Sequence, residues 1–231
     1  PGGLVFFSGP ARSGKTTTAY AALNALNLLT CSIATAESPI EQTVNGITQG
    51  NWTPESGMTY PEMIRSMSYL DPDILMVSEV DSPETLEATV ELALGGAKVI
   101  TSFTSFDTMG TLLRLSSLGL NNFLIASSNV TLVSQRLVRK LCPECKQEDF
   151  PQADYLKFLG LANIEPEAAK VGIPRGCKTC NQLGYIGQTA IHEILIINDA
   201  IREAILENAP AAHIRNLART DGRLVSMAED G

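Results

Sequence analysis

From Leu4 to Thr18 the chain reads LVFFSGPARSGKTTT. The apolar run Leu4 to Ser8 is stopped by Gly9-Pro10, and from Lys15 to about Leu29 Ala and Leu recur at helical spacing, so the stretch is predicted as strand, loop and helix. Within it Gly9 to Thr16 match G-x-x-x-x-G-K-[ST], the phosphate-binding loop, with the strand before and the helix after that the motif requires. The glycines let backbone N–H groups turn inward onto phosphates, and the helix N-terminus adds partial positive charge. The candidate nucleotide-binding residues are Gly9, Pro10, Ala11, Arg12, Ser13, Gly14, Lys15, Thr16 and Thr17. Lys15 is placed to reach the β- and γ-phosphates of ATP, and Thr16 to ligate magnesium. A glycine-rich turn that binds nothing would need that lysine and threonine by chance.

Outward from the loop, short apolar or β-branched runs at Ser32 to Ala36, Ile74 to Val77 and Val99 to Ser102 read as buried parallel strands. Helical segments alternate with them at Tyr60 to Leu70 and Pro83 to Leu94, the second opened by Ser82 as N-cap and Pro83 at the first helical position. Such alternation predicts an α/β fold, a mostly parallel sheet flanked by helices. Met109 to Leu118 and Asn122 to Leu137 read as two further helices, Cys142 opens a loop-rich stretch, and Asp199 to Leu206 and Ala211 to Leu217 are helical again. The expected division is a nucleotide-binding core over 1–140, a metal-pinned, mainly helical lobe over 141–190 and a C-terminal helical subdomain over 191–231. Because the chain opens at Pro1-Gly-Gly, directly on a core strand, it is expected to be cut from a longer protein.

The 17 Lys+Arg against 25 Asp+Glu give a formal charge of -8, which opposes the phosphate attraction that nucleic-acid binders depend on, although Arg136, Arg139 and Lys140 form a local basic patch. No apolar run approaches the ~18 residues of a spanning helix. The expectation is a soluble, cytosolic protein with no nucleic-acid partner.

Asp73-Ile-Leu-Met-Val-Ser-Glu79 places an acid on each side of an apolar run. Glu79 lies past the carboxyl end of that strand, where parallel sheets open their ligand crevice, and is the candidate for polarising the attacking water. Asp73 is the second magnesium candidate. The competing reading makes Glu79 an ordinary acid on a solvated loop.

Cys142-Pro-Glu-Cys145 and Cys177-Lys-Thr-Cys180 are two Cys-x-x-Cys pairs flanking residues 146–176. Four cysteines so spaced can close a tetrahedron around structural zinc, and could also hold an iron–sulfur centre; a redox Cys-x-x-Cys leaves the second pair unexplained. Cys31 reads as a small buried hydrophobe, Met58, Met63, Met67 and Met76 as core filler, and His192 and His213 as structural or solvent-facing. Trp52 could anchor a loop or contact a neighbour.

These residues resemble the hexameric ATPases of type II secretion and type IV pilus assembly. The resemblance runs over essentially the whole chain: the opening strand and phosphate loop; Glu37-Ser-Pro-Ile-Glu41, similar to the family's acidic Glu-Asp-Pro-x-Glu box; Ile64-Arg65, Asp71-Pro-Asp73, Glu79 and Glu84-Thr85; and Ser134 to Lys146 followed by Gly176-Cys177 and Gly184 to Glu193. The tetracysteine loop is the most specific of these and marks the secretion and pilus-extension branch. The resemblance implies a RecA-like motor domain, ATP and Mg2+ as ligands with structural Zn2+, and catalytic roles for Glu79 and Glu37. It further implies a six-membered ring at the cytoplasmic face of the inner membrane that turns a platform protein, meets a cytoplasmic adaptor and drives pilus or pseudopilus polymerisation. An N-terminal domain, outside this chain, would supply arginines to the neighbouring nucleotide.

Several of the family's chemical positions are altered. Its acidic-box Asp is Ser38, its Arg-Gln before Asp-Pro-Asp is Tyr69-Leu70, and its following Arg is Asp81. The two histidines of its histidine box are Ala97 and Thr104. Thr104 is a candidate stand-in as donor to the γ-phosphate, and Arg65 or Arg114 as replacement charge. Phosphoryl transfer depends on such groups, so slow or partner-dependent turnover with binding intact is expected. Two other readings stand beside an active motor: a catalytically quiet, nucleotide-gated ring component, and a DNA-uptake or conjugation motor on the same fold.

Overall fold

The computed structural model describes residues 2–119, 122–127, 129–158, 165–166 and 170–230. Its frame is an eight-stranded sheet in the order β10-β9-β6-β1-β5-β4-β2-β3, in which β1 is Gly3–Ser8, β2 Ile33–Glu37, β3 Thr48–Asn51, β4 Ile74–Val77, β5 Lys98–Phe103, β6 Val130–Leu141, β9 Tyr185–Ile196 and β10 Leu224–Val225. A two-stranded ribbon pairs β7 (Gln147–Asp149) with β8 (Val171–Ile173). Around β1 the sheet is parallel: Leu4 faces Val99 of β5 and Val130 of β6, and Ile74 of β4 faces Lys98 and Ile33. Strand β10 is antiparallel to β9.

A central parallel strand is covered on both faces, which is why Ile74–Val77 is buried throughout rather than alternating with polar residues. Alternate residues of β1 serve two cores. Leu4 and Phe6 pack on one side with Leu75, Val99 and Leu132; Phe7 packs on the other with Met76, Ile100 and Tyr20 and Leu23 of helix α1 (Lys15–Leu26). Each such side chain contributes about 1.5–3 kcal/mol when fully buried, and these residues meet on both sides of the strand that carries the phosphate loop.

Helices α2 (Tyr60–Met67) and α3 (Pro83–Leu94) open on side-chain caps, Thr59 with Glu62 and Ser82 with Pro83 behind it, as the sequence predicts for the second. Helix α4 (Thr108–Ser117) is capped by Asp107. The predicted helix over Asn122 to Leu137 is corrected: among the described residues of this range only α5 (Asn122–Ser127) is helical, and β6 begins at Val130. Val130-Thr-Leu-Val fills the open edge of β1, and pairing there with burial of Val130 and Leu132 overrides the helical reading of the run.

The chain forms two compact units. One holds Pro1–Gln135 and Glu193–Val225; the other holds Arg136–His192 and Ser226–Gly231. The tail expected as a separate helical body, with α7 (Asp199–Leu206) and α8 (Ala211–Thr220), supplies Ile201, Ile205, Ile214 and Ala218 to the first unit's core. Among its described residues the second unit is mostly strand, turn and loop, with short helices α6 (Ala153–Phe158) and α9 (Met227–Asp230), rather than mainly helical. Met58 is 46% exposed, so it is not core, and Cys31 is only half-buried. Trp52 anchors a loop, its Nε1 donating to the Met58 carbonyl at 2.8 Å. Among the described residues no helix is long and apolar enough to cross a membrane.

Candidate nucleotide-binding site and metal centre

The loop Gly9 to Gly14 leaves the carboxyl end of β1 and enters α1. That helix starts after Gly14, at φ 84, with no side chain capping its first turn, so its leading N–H groups have no competing side-chain acceptor. Gly9 has φ 155, and a methyl group there would come within 2.5 Å of the Gln135 carbonyl oxygen, so glycine is required on both counts. Lys15 Nζ donates to the carbonyls of Gly9 at 2.9 Å and Pro10 at 3.2 Å, a curl over the loop that leaves the ammonium beside the cradle. Burial holds Lys15 below its ordinary pKa, and the nearby Glu79 carboxylate pulls it back up. The Ser13 hydroxyl is buried without a partner, while Thr16 is half-buried and Thr17 exposed.

Sequence reasoning passed over Gln135. It is 1% exposed at the end of the first unit's part of β6, its Nε2 donates to the Ser13 carbonyl at 2.7 Å, and its Oε1 accepts from Thr18 at 2.8 Å. One side chain therefore fixes both the loop and the helix that follows it.

Glu79 follows β4 at the same sheet edge, exposed, and Thr104 just past β5 donates to its Oε1 at 2.7 Å. Arg114 joins them: its Nη1 donates to the Thr104 carbonyl at 3.0 Å, and its guanidinium lies 5.4 Å from the Phe103 ring centroid. Glu37 ends β2, is 1% exposed, and is surrounded by donors: Tyr20 Oη on one oxygen, Thr35 Oγ1 at 2.6 Å and Gln49 Nε2 at 3.0 Å on the other. Tyr20 also accepts the N–H groups of Glu41 and Gln42, so the acidic box is tied to α1. Burial, then the Glu37 hydrogen bond, raises the Tyr20 phenol and keeps it a donor.

Two expectations need correction. Asp73 stands at the amino end of β4, where its neighbours are Gly3's partner Lys98 and Ser32, whose N–H it accepts at 2.8 Å. The phosphate loop lies at the opposite edge, so Asp73 is no magnesium ligand for it. Arg65 is held by Glu91 at 2.7 Å and Glu87 at 3.7 Å and lines, with Asp73 and Lys98, a cavity of about 1000 Å³ at that same far edge. Of the two candidate replacement arginines, only Arg114 is brought to Thr104.

In the second unit the four thiol sulfurs of Cys142, Cys145, Cys177 and Cys180 lie within 4.8 Å of one another. Three of the sulfur–sulfur distances are 3.9 Å for Cys142–Cys177, 3.8 Å for Cys145–Cys180 and 3.7 Å for Cys177–Cys180. A tetrahedral ion with bonds of about 2.3 Å to sulfur sets its ligands about 3.8 Å apart, so the spacing fits a closed four-thiolate site. Backbone N–H groups point at these sulfurs, Gly176 at Cys145 (3.3 Å) and Gly184 at Cys180 (3.1 Å), as thiolates require. Burial opposes ionisation of Cys180, but the N–H groups of Cys177 and Gly184 and the neighbouring thiols outweigh it and bring the group to about 6. Burial and its thiol neighbours push Cys145 to about 11.

A family model described as Type II/IV secretion system protein matches residues 1–230. The chain is 36% identical over 231 residues to the type IV pilus assembly ATPase PilB of Thermus thermophilus, covering 100% of this chain and 26% of that protein. It is 36% identical over 222 residues to a putative type II secretion system protein E of Escherichia coli, 95% of this chain and 44% of the relative. The chain thus spans less than half the length of these relatives. The crystal structure of the pilus retraction motor PilT with bound ADP superposes with a TM-score of 0.69 at 20% identity, over 99% of this chain and 60% of that one, a likeness of fold.

Proposed function

Because the chain belongs to the Type II/IV secretion system protein family, we propose that it is the nucleotide-binding motor part of an ATPase that powers pilus or pseudopilus assembly. The observation that carries this reading is the convergence of Lys15, Glu79, Thr104 and Arg114 around an open phosphate loop at one sheet edge. ATP is the substrate. The loop N–H groups and Lys15 hold its phosphates, Thr16 is the protein ligand for Mg2+, which neutralises charge on the β- and γ-phosphates, and Glu79 takes the proton of the attacking water. Thr104 orients Glu79 by donating its hydroxyl to the carboxylate. Glu37, already supplied with three donors, orders the acidic box from behind rather than acting as a base. Zinc is the metal of the four-cysteine site, and its role is to fold a unit with few buried apolar residues.

The whole protein works as a hexamer at the cytoplasmic face of the inner membrane, turning a platform protein and meeting a cytoplasmic adaptor. Identity of 36% to a type IV pilus assembly ATPase over the entire chain supports this assignment. Turnover is slow, because Arg114 is the single candidate replacement arginine near Thr104. The first test is titration of the chain with a fluorescent ATP analogue beside Lys15→Ala. Saturable, magnesium-dependent binding lost in the variant supports the reading; absence of binding to the parent overturns it.

A further inference from the structure

Side chains from three distant parts of the sequence meet at the first turn of α4, behind Thr104. Asp107 Oδ1 accepts from the Gly110 N–H at 2.6 Å, and Asp107 Oδ2 is paired with Nη2 of Arg215, on α8, at 2.5 Å. Glu193 of β9, 7% exposed, accepts from the backbone N–H of Thr108 at 2.9 Å and from its hydroxyl at 2.5 Å. Thr111 Oγ1 lies 2.8 Å from the Asp107 carbonyl and 2.9 Å from Ser8 Oγ, with Ser105 Oγ 2.5 Å away. Ser8 is the residue before Gly9. The segment 104–107 is thus pinned toward the phosphate loop by hydroxyls and toward the C-terminal residues by an ion pair.

An N-cap needs one carboxylate oxygen. Asp107 uses its second oxygen to pair with Arg215. We infer that Arg215 is a positioning residue for ATP hydrolysis: through Asp107 it holds Thr104 against Glu79, so that the position of α8 sets the readiness of the catalytic pair. This inference rests on the ATPase reading above. Among the described residues Arg215 pairs with Asp107 and not with the phosphate loop or Lys15, so it acts on turnover and not on nucleotide affinity. A half-exposed ion pair adds little to stability by itself, which separates positioning from mere support of the fold.

The experiment uses the full-length protein and its Arg215→Ala, Arg215→Lys and Asp107→Asn variants, with steady-state ATP kinetics, thermal melting, and amide exchange in the presence of a non-hydrolysable ATP analogue. Displacing a reacting group by about an ångström costs up to roughly a hundredfold in rate, so kcat should fall by tenfold or more in Arg215→Ala with KM for ATP nearly unchanged. Arg215→Lys, which keeps the charge, should retain more of kcat than Arg215→Ala. Exchange over residues 104–111 should quicken in Arg215→Ala while residues 9–16 stay as protected as in the parent. Unchanged kcat, a fall in kcat matched by a fall in melting temperature in every variant, or unchanged exchange over 104–111 overturns the inference. A parent that binds the analogue but shows no turnover refutes the ATPase reading alone, and the exchange comparison then decides whether Arg215 places the segment.

Discussion

Thr104 Oγ1 donates to Glu79 Oε1 across 2.7 Å, joining the ends of two adjacent strands directly beside the phosphate loop. In the mechanism proposed above, Glu79 is the base, and this bond is what aims it. Thr104→Ala should lower ATP turnover by roughly tenfold to a hundredfold, the range for a lost donor or misaimed base, and leave ATP affinity unchanged. Thr104→Ser should keep most activity. Equal kcat in parent and Thr104→Ala would remove Thr104 from the mechanism.

Gln135 holds the loop from below through the Ser13 carbonyl and Thr18. Gln135→Ala leaves a buried acceptor unpaired, costing about 1–3 kcal/mol, and frees the loop. Thermal melting should drop by several degrees and ATP affinity should weaken together. A variant with parental melting and affinity would mean that Ser13 needs no such support.

Protein purified under reducing conditions without chelator should carry one zinc per chain by elemental analysis. Cys142→Ser/Cys177→Ser should lose it, with amide protection over residues 136–192 lost at the same time, because metal binding and folding are linked. Reduced parent protein with intact protection and no metal would contradict the four-thiolate assignment.

At the start of α2, Glu62 accepts from the Thr59 N–H and hydroxyl, and these bonds hold its carboxyl below the usual carboxylate range. A depressed carboxyl stabilises the fold above its unfolded pKa and loses that effect as pH falls through the folded value. Parent and Glu62→Gln should therefore differ in melting temperature at neutral pH and converge in acid. A gap that widens in acid has the wrong sign for this account.

The phosphate loop and the four cysteines were legible because their chemistry fixes short spacings. Glu79 was legible because acids beyond the carboxyl end of a parallel strand face the crevice. Asp73 misled because an acid at either end of an apolar run looks alike until strand direction is applied, and direction puts Asp73 at the far edge. Arg65 and Arg114 are equivalent in the sequence; packing ties the first to α3 and brings the second to Thr104. Gln135 sits in the family-like stretch from Ser134 to Lys146, but its role, like that of Arg215, was not legible because the partners lie more than a hundred residues away. Strand β6 was missed because its pairing with β1 outweighs the helical spacing of its residues.

The most direct test of the motor assignment is steady-state ATP hydrolysis by the full-length protein, at concentrations that support a ring, beside Lys15→Ala. The account predicts measurable, magnesium-dependent turnover that the variant abolishes. Tight ATP binding with no turnover in the parent, or turnover that survives Lys15→Ala, would contradict it.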